Sequence, residues 1–246
     1  SNVCRFIPSI PGYMYGQTDS RLYVNLFIQS KASVSMGGEK LEIAQTTQYP
    51  WDGEVKFSIN PEKAKSFELA LRIPGWLSEK PLHGSIYVFA SAPEKKFILK
   101  VNGKPAEYKT ENGYAIISNQ WKKGDVVTLA LPMEIRRVVA NEKLEADNNK
   151  VALMRGPMVY CAEWPDFQDK HVLNLILPNN SMLTSEFHPE MLGGAVILKG
   201  KAQSAVRLND SATKESNVAF TAIPYYAWAN RGAGEMEVWF ATKASA

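Results

Sequence analysis

Apolar and polar residues alternate along much of the chain, and this period of two is the pattern of β-strands. Residues 22–29, 54–60 and 67–73 each carry an apolar side chain at every second position. Since successive side chains of a strand point to opposite faces, each segment predicts a strand with one buried face. Pro74-Gly75 ends the third segment, because proline cannot donate to a sheet ladder.

The region between residues 97 and 135 shows the clearest succession of strands and turns. Asn102-Gly103 follows an alternating apolar run and predicts a tight hairpin turn, because both residues tolerate a positive φ. Further strands are predicted at residues 113–117 and 127–131. Strands at such short intervals are typical of an antiparallel β-sandwich.

Three parts of the chain are distinguished by this pattern. In residues 1–20, Pro8 and Pro11 limit any helix to one or two turns, so a short helical segment is expected there. Strands dominate residues 21–166, which we interpret as a β-sandwich domain, and residues 167–246 are interpreted as a second, smaller β domain. No segment has the length and 3.6-residue period of a long amphipathic helix, so the predicted fold class is all-β.

Composition narrows the classes of partner. The chain has 45% hydrophobic and 22% charged residues, close to soluble globular averages. The net charge is +3 with both signs interspersed, whereas a nucleic-acid interface needs a clustered basic face. No apolar run approaches the roughly 18 residues of a membrane span. Neither nucleic acid nor membrane is therefore expected as a partner. The opening residues also lack the pattern of a signal peptide, and we expect the chain to begin inside a longer protein.

Carboxylate pairs are the first candidates for chemistry, since two positioned acids suffice for glycoside hydrolysis. Glu235 and Glu237 lie two apart on a predicted strand and share one face. We expect that face to be exposed, because Met236 and Val238 would then point into the core.

A second acidic group lies in a polar, turn-like run and consists of Glu142, Glu145 and Asp147. A solvated loop is favoured over a calcium site there, since the alternating Asp spacing of an EF-hand loop is missing.

Histidine and cysteine are few, with three and two residues respectively. His83, His171 and His188 lack the short spacings of zinc sites. Cys4 and Cys161 do not form a disulfide framework, and the strand-like run around Cys161 indicates a buried thiol. We therefore predict no catalytic residue and no metal site in this chain.

Aromatic residues are more informative, above all in the tail from Ala222 to Phe240, which contains Tyr225-Tyr226 and a Gly-rich turn. The six tryptophans are Trp51, Trp76, Trp121, Trp164, Trp228 and Trp239. Flat exposed rings can stack on sugars, and the same rings also fill sandwich cores or domain interfaces. The sequence leaves both alternatives open, so residues that bind a substrate stay unassigned.

Four groups of segments together resemble one family in their order along the chain. They are SNVCR with GYMYG (1–5, 12–16), LYVNLF with YPWDG (22–27, 49–53), LRIPGW with VNG (71–76, 101–103), and RGPMVY with the tail (155–160, 222–240). In this combination the chain resembles the C-terminal part of the β-L-arabinofuranosidase family, glycoside hydrolase family 127.

The resemblance implies an N-terminal (α/α)6 barrel that carries catalysis, followed by β-sandwich domains. Residues 1–20 would be the remnant of the end of that barrel. Family members use a cysteine nucleophile held at a zinc site, and the cysteine pair would fall just before Ser1. Cys4 lies between Asn2 and Arg5, at a position that is not a ligand in the family motif. No cofactor is therefore expected in this chain, whereas the resemblance implies zinc in the parent enzyme.

Taken together, these observations predict a non-catalytic β-sandwich module that structurally supports the missing barrel, with the aromatic tail as the candidate for interdomain packing. The alternative is a carbohydrate-binding module for arabinan-type glycans. A complete small enzyme based on Glu235 and Glu237 is disfavoured, because carboxylates two apart on one strand seldom bracket a sugar bond. An apolar patch left by the absent barrel would favour self-association. The resemblance suggests a bacterial, periplasmic or secreted setting and leaves the sugar specificity open.

Overall fold

The structure is a computed structural model that describes residues 2–78, 80–82, 84–209 and 212–244. The helices are α1 (Asn2–Ser9) and α2 (Pro11–Met14). The first strands are β1 (Tyr15–Gln17), β2 (Arg21–Val24), β3 (Ser30–Met36), β4 (Glu39–Thr47), β5 (Glu54–Pro61), β6 (Lys65–Arg72), β7 (Tyr87–Phe89), β8 (Ile98–Val101), β9 (Lys104–Pro105), β10 (Lys109–Glu111), β11 (Tyr114–Trp121) and β12 (Asp125–Ala130). The remaining strands are β13 (Ile135–Ala140), β14 (Lys150–Arg155), β15 (Met158–Glu163), β16 (Leu175–Ile176), β17 (Leu183–His188), β18 (Ala195–Asn209), β19 (Ala212–Pro224), β20 (Met236–Glu237) and β21 (Phe240–Ala241).

The predicted all-β class is confirmed, and the chain divides into two compact units. The first unit comprises Ser1–Leu77 and Lys95–Pro132, and the second comprises Ser78–Glu94 and Met133–Ala246. Ser78–Glu94 therefore interrupts the first unit along the chain, and the last change from the first unit to the second follows Pro132. The reason is strand pairing, because β14 and β15 bond to β19, β20 and β21 from the end of the chain.

The first unit is a β-sandwich, as predicted. One sheet has the order β1-β2-β6-β11-β10 and the other the order β3-β4-β5-β12-β8-β9. Both sheets contribute side chains to one apolar core, whose fully buried members include Leu22, Val24, Val55, Phe57, Ile59, Leu69, Leu71, Trp121, Val127 and Leu129. Except at Ala70, which is buried between Leu69 and Leu71, these residues alternate with half-buried or exposed neighbours. The period of two therefore locates most of the core face correctly.

The Asn102-Gly103 turn is also confirmed. Both residues have positive φ, at 49° and 79°, and they join β8 to β9 as an antiparallel hairpin. Asn102 adds support from its side chain, which accepts from the Val126 amide and donates to Asp125. The turn chemistry read from two residues therefore holds in the fold.

The second unit is built on a ten-stranded sheet whose main order is β20-β15-β19-β18-β16-β21-β14-β13-β7. β17 pairs with β18, and β14 pairs additionally with β15, so the pairings return to β15 in a closed circuit. The largest buried cluster of this unit includes Leu153, Tyr160, Val172, Leu198, Phe220 and Phe240. The end of β15 and the segment after β19 are joined by hydrogen bonds, and together they form the candidate site.

The N-terminal helices are short, as expected. α1 contains Pro8 and buries none of its residues. Val3, Phe6 and Ile7 lie at helical spacing on it, and each exposes more than half of its surface. Among the described residues, none of the helices combines the length and the apolar character that a membrane span requires.

Candidate functional site

Exposed aromatic rings gather in the segment that follows β19, which we call the aromatic loop (residues 224–231). Tyr225, Tyr226 and Trp228 are 42%, 62% and 41% exposed. The rings of Tyr225 and Trp228 are parallel to within 14°, with centroids 6.4 Å apart. Of the six tryptophans, all of which the structure describes, Trp228 has the exposed ring.

The backbone of this loop explains why the rings face outward. Pro224 ends the pairing of β19 with β15, and Tyr225–Ala227 form one 3₁₀ turn. The side chain of Ala227 is buried, whereas the rings of its neighbours Tyr226 and Trp228 are exposed to solvent. Ala229 then takes a positive φ of 63°, which turns the chain back toward β15.

An ionic cluster, the carboxylate anchor (Glu163, Asp166 and Arg231), holds the end of the loop. Arg231 donates from Nη1 and Nη2 to the two oxygens of Asp166, each at 2.7 Å. It donates from Nε to Glu163 Oε2 at 2.7 Å, and Nη2 lies 2.5 Å from the same oxygen. The Ala229 amide donates to the other oxygen of Glu163 at 2.7 Å. Each carboxylate is thus engaged through both of its oxygens.

The carboxylate anchor is largely removed from water. The side chains of Glu163, Asp166 and Arg231 are only 2%, 11% and 20% exposed. The hydrogen bonds that Arg231 donates to Asp166, and then those that it donates to Glu163, raise the pKa of Arg231 above its ordinary value despite burial. A bidentate pair of this kind fixes geometry as well as charge. The chain therefore ties the aromatic loop to the end of β15 by charge and geometry together.

Trp164 lies between the two carboxylates in sequence. Its ring lies so close to Gly234 that a Cβ added there would overlap it. Lys170 lies over the ring at 5.3 Å from its centroid. The Gly-rich turn of residues 232–234 is therefore needed for the close approach of the backbone to an indole.

Glu235 directly follows the Gly-rich turn of residues 232–234. It accepts hydrogen bonds from the Val172 and Leu173 amides, at 2.8 and 3.3 Å, and lies 2.9 Å from His171 Nδ1. The bond with His171, followed by the two amides, lowers the pKa of Glu235, and the same bond raises the pKa of His171. Glu235 thus connects two loops. The sequence pattern predicts a solvated strand face for it, and this prediction is wrong.

Glu237 has a different environment from Glu235, although the two are close in sequence. Its Oε2 is buried without a hydrogen-bond partner among the described residues. Burial raises the pKa of Glu237 to about 7, although Lys150 pulls it down. The expected exposed face is therefore wrong for this residue. Met236 and Val238 do pack on the cluster around Cys161, as predicted.

The cysteines occupy opposite environments. Cys161 is fully buried, as predicted, and burial raises its pKa to about 12. Such a thiol is protonated at neutral pH and is a poor nucleophile. Cys4 is exposed on α1, and both thiols are free.

The other candidate residues are dispersed. His188 lies between Glu186 and Glu190, with nitrogen-to-oxygen distances of 3.3 and 2.8 Å. It is the last residue of β17, which pairs with β18. His83 lies outside the described residues. Glu142 and Glu145 are exposed and Asp147 is half-buried, in the loop between β13 and β14. The described ranges contain no group of three or more His, Cys, Asp or Glu that could hold a metal ion.

Most of the remaining tryptophans have structural contacts. Trp121 is buried and donates to the Phe67 carbonyl at 3.0 Å. Trp76 donates to the Tyr49 hydroxyl at 3.3 Å, and Trp239 lies 5.3 Å from the Tyr87 ring. These three rings therefore pack within the fold, whereas the Trp228 ring is exposed.

The carboxylate anchor was missed by sequence reasoning. Glu163 and Asp166 are separated from Arg231 by 68 and 65 residues. The available signals were two carboxylates around a Trp-Pro pair at a strand end, and an arginine entering a Gly-rich turn. Neither signal identifies its partner.

Comparisons with known proteins cover almost the whole chain. Residues 21–133 match the family model described as the β-L-arabinofuranosidase, GH127 middle domain, and residues 135–241 match the glycoside hydrolase family 127 C-terminal domain. A non-reducing end β-L-arabinofuranosidase of Bifidobacterium longum subsp. longum is 31% identical across 97% of this chain. This chain spans 36% of that relative.

Solved structures give the same result. A GH127 β-arabinofuranosidase is 40% identical, with a TM-score of 0.92, and the match covers 98% of this chain and 38% of that one. A GH127 β-L-arabinofuranosidase from Geobacillus stearothermophilus T6 is 36% identical, with a TM-score of 0.85, and the match covers 98% and 36%. The chain is therefore similar to slightly more than a third of each of these longer proteins.

Proposed function

The chain belongs to glycoside hydrolase family 127, and on that premise we propose that it is the non-catalytic β module of a larger β-L-arabinofuranosidase-like hydrolase. In this proposal it supports the part of the polypeptide that carries out the reaction. The observation that carries the proposal is the identity of the matched segments. They are the middle and C-terminal domains of the family, whereas the relatives are far longer than this chain.

The chemistry of the side chains supports this proposal. Glycoside cleavage needs a proton donor within reach of the leaving oxygen and a second group to attack or to activate water. Glu163, Asp166 and Glu235 already serve as structural acceptors. Cys161 is buried with a pKa of about 12. Contacts within the fold thus occupy the three carboxylates, and burial covers the thiol, as a non-catalytic module would require.

The N-terminal helix gives a second line of support. Val3, Phe6 and Ile7 form an apolar stripe on α1, a helix of eight residues that buries none of them. A helix this short is marginal in water unless tertiary contacts cover its apolar face. Contact with further residues of the parent protein would supply that cover. The same exposed stripe would favour self-association of the isolated chain.

A complementation experiment tests the supporting role. The catalytic portion of the parent is produced alone and together with this chain, and solubility, melting temperature and hydrolysis of an aryl β-L-arabinofuranoside are measured. We expect the catalytic portion alone to be poorly soluble and inactive, and the added chain to restore both properties. A catalytic portion that is equally stable and active by itself would contradict the proposal.

Carbohydrate binding is the second candidate function, and the Tyr225 and Trp228 rings are the observation in its favour. Parallel exposed rings can stack on the C–H faces of sugars. Calorimetric titration of the chain with arabino-oligosaccharides, with Trp228→Ala as the comparison, tests it. Saturable binding that the substitution abolishes would support this function, and absence of heat up to millimolar ligand would exclude it.

A further inference from the structure

We infer that the aromatic loop is a docking surface for the remainder of its own polypeptide, with Tyr225, Tyr226 and Trp228 as the contact residues and Arg231 as their positioning residue. The inference rests on the proposed function. The occupant is the portion that the family's longer members carry in addition to the two domains matched here. The argument has three steps, which concern the surface, its rigidity and the chemistry that surrounds it.

The surface has the composition of an interface centre. Three large aromatic residues are exposed within four positions of sequence. Tyrosine and tryptophan are enriched at the centres of protein interfaces, because they bury a large area and lose little conformational freedom. Each ring here leaves roughly two-fifths or more of its surface in contact with water. A docked partner would therefore bury the apolar area of these rings without a change in the position of the loop.

The surface is rigid before any partner binds. Arg231 is fixed by bidentate bonds to Asp166 and by two contacts to Glu163. The Ala229 amide is held by the same Glu163 carboxylate. A loop that is ordered in advance loses less entropy when it docks, so more of the contact energy remains as affinity.

The polar groups beside the rings favour a protein partner over a sugar. Sugar sites need polar groups that converge on the ligand and select its hydroxyls. Here Nε, Nη1 and Nη2 of Arg231 are all bound within the carboxylate anchor. Asn230 Nδ2 donates to the Ala227 and Trp228 carbonyls. The donors next to the rings are thus used internally, and the surface that remains is mainly apolar with hydroxyls at its edge.

The occupant follows from the length of the relatives. The matched region makes up 36–38% of the longer family members, so most of each polypeptide lies outside these two domains. A segment joined covalently to this chain is present at high effective concentration, and even a surface of moderate area stays occupied. This argument favours the same polypeptide over a second copy of the chain or a separate protein.

Oxidative footprinting with hydroxyl radicals tests the inference, because it modifies exposed aromatic side chains in place. The isolated chain and the full-length polypeptide are oxidised in parallel, and each residue is quantified by mass spectrometry. We expect Tyr226 and Trp228 to be oxidised at least ~5-fold less in the full-length protein, since rings at an interface centre are almost fully buried. Tyr108 in the first unit is 43% exposed, which is close to the 41% of Trp228, and it serves as the control that should be modified equally in both samples.

A pair of substitutions gives an independent readout. Tyr226→Ser and the control Tyr108→Ser should leave the melting temperature of the isolated chain nearly unchanged, because both rings are exposed. In the full-length protein, Tyr226→Ser should lower the melting temperature clearly more than Tyr108→Ser. Arg231→Lys should increase oxidation of Trp228 in the full-length protein, since lysine cannot form the bidentate fork.

Two results would overturn the inference. One is equal oxidation of Tyr226 and Trp228 in both proteins. The other is protection of these rings in the isolated chain by arabino-oligosaccharides, which would identify a sugar platform. Failure of the proposed function has a different signature, namely hydrolysis by the isolated chain, so the two failures can be told apart.

Discussion

The core of the first unit and the carboxylate anchor of the second unit stabilise the chain by different means. In the first unit, Phe57 and Trp121 belong to a continuous apolar cluster to which both sheets contribute. In the second unit, one arginine holds two nearly buried carboxylates on segments distant in sequence. An apolar core spreads its free energy over many contacts, whereas a buried ion cluster depends on every partner being present.

This difference determines how each region fails. Truncation of one core side chain removes burial and leaves a cavity, while the other core residues stay in place. Removal of Arg231 would leave two carboxylates, Glu163 and Asp166, without their shared cation in a site shielded from water. The predictions below test that distinction, beginning with the largest expected effect.

Trp121→Ala should destabilise the isolated chain by ~4 kcal/mol, because a fully buried indole is lost together with its hydrogen bond to the Phe67 carbonyl. Urea unfolding followed by circular dichroism measures the change. Trp228→Ala is the matched control, since that ring is 41% exposed, and it should cost well below ~1 kcal/mol. Similar losses for both variants would contradict the assignment of Trp121 to the core.

Arg231→Met should cost ~3 kcal/mol, because it keeps the apolar stem and removes the charge that two buried carboxylates share. The same urea titration measures it. The double variant Arg231→Met with Glu163→Gln should recover part of the loss, since one uncompensated charge disappears with the second change. If the double variant is the less stable of the two, the carboxylate anchor does not act through charge pairing.

Gly234→Ala should cost ~2 kcal/mol, because the new methyl group would overlap the Trp164 ring and the close approach could not persist. Gly12→Ala is the control, since an added Cβ there has no atom within 4 Å, and its melting temperature should be nearly that of the parent chain. Equal melting temperatures for the two variants would show that the indole moves aside freely.

Glu237→Gln should have the smallest effect and one that depends on pH. The pKa of Glu237 is raised to about 7 in the folded chain from an ordinary value of 4.5. Below pH 4.5 the group is neutral in both states, and as the pH rises toward 7 only the unfolded chain ionises, so the folded state loses stability. With allowance for partial exposure, Glu237→Gln should gain ~1 kcal/mol at pH 8 and nothing at pH 4. A gain that is the same at both values would contradict the assignment.

Much of the first unit could be predicted from the sequence. Strands such as β5 and β6 lie where apolar residues alternate, because burial of one sheet face is a local property of the pattern. The turn at Asn102-Gly103 was also predictable, since it depends on two adjacent residues. Features that depend only on a short segment of the chain can therefore be predicted from the sequence alone.

The second unit was less predictable, for a physical reason. Its boundary depends on β14 and β15 pairing with strands from the end of the chain, and no local pattern records such a pairing. The partner of Glu163 lies 68 residues away. The sequence pattern predicts one shared environment for Glu235 and Glu237. In the fold Glu235 has three partners, whereas one oxygen of Glu237 has none within the described part of the chain.

The most direct test of the central claim is the turnover of an aryl β-L-arabinofuranoside by the isolated chain and by the full-length polypeptide under identical conditions. The account predicts hydrolysis by the full-length protein and a rate for the isolated chain equal to the background without enzyme. Turnover by the isolated chain that disappears in Glu235→Gln or Glu237→Gln would contradict it, because the reacting groups would then lie within these residues.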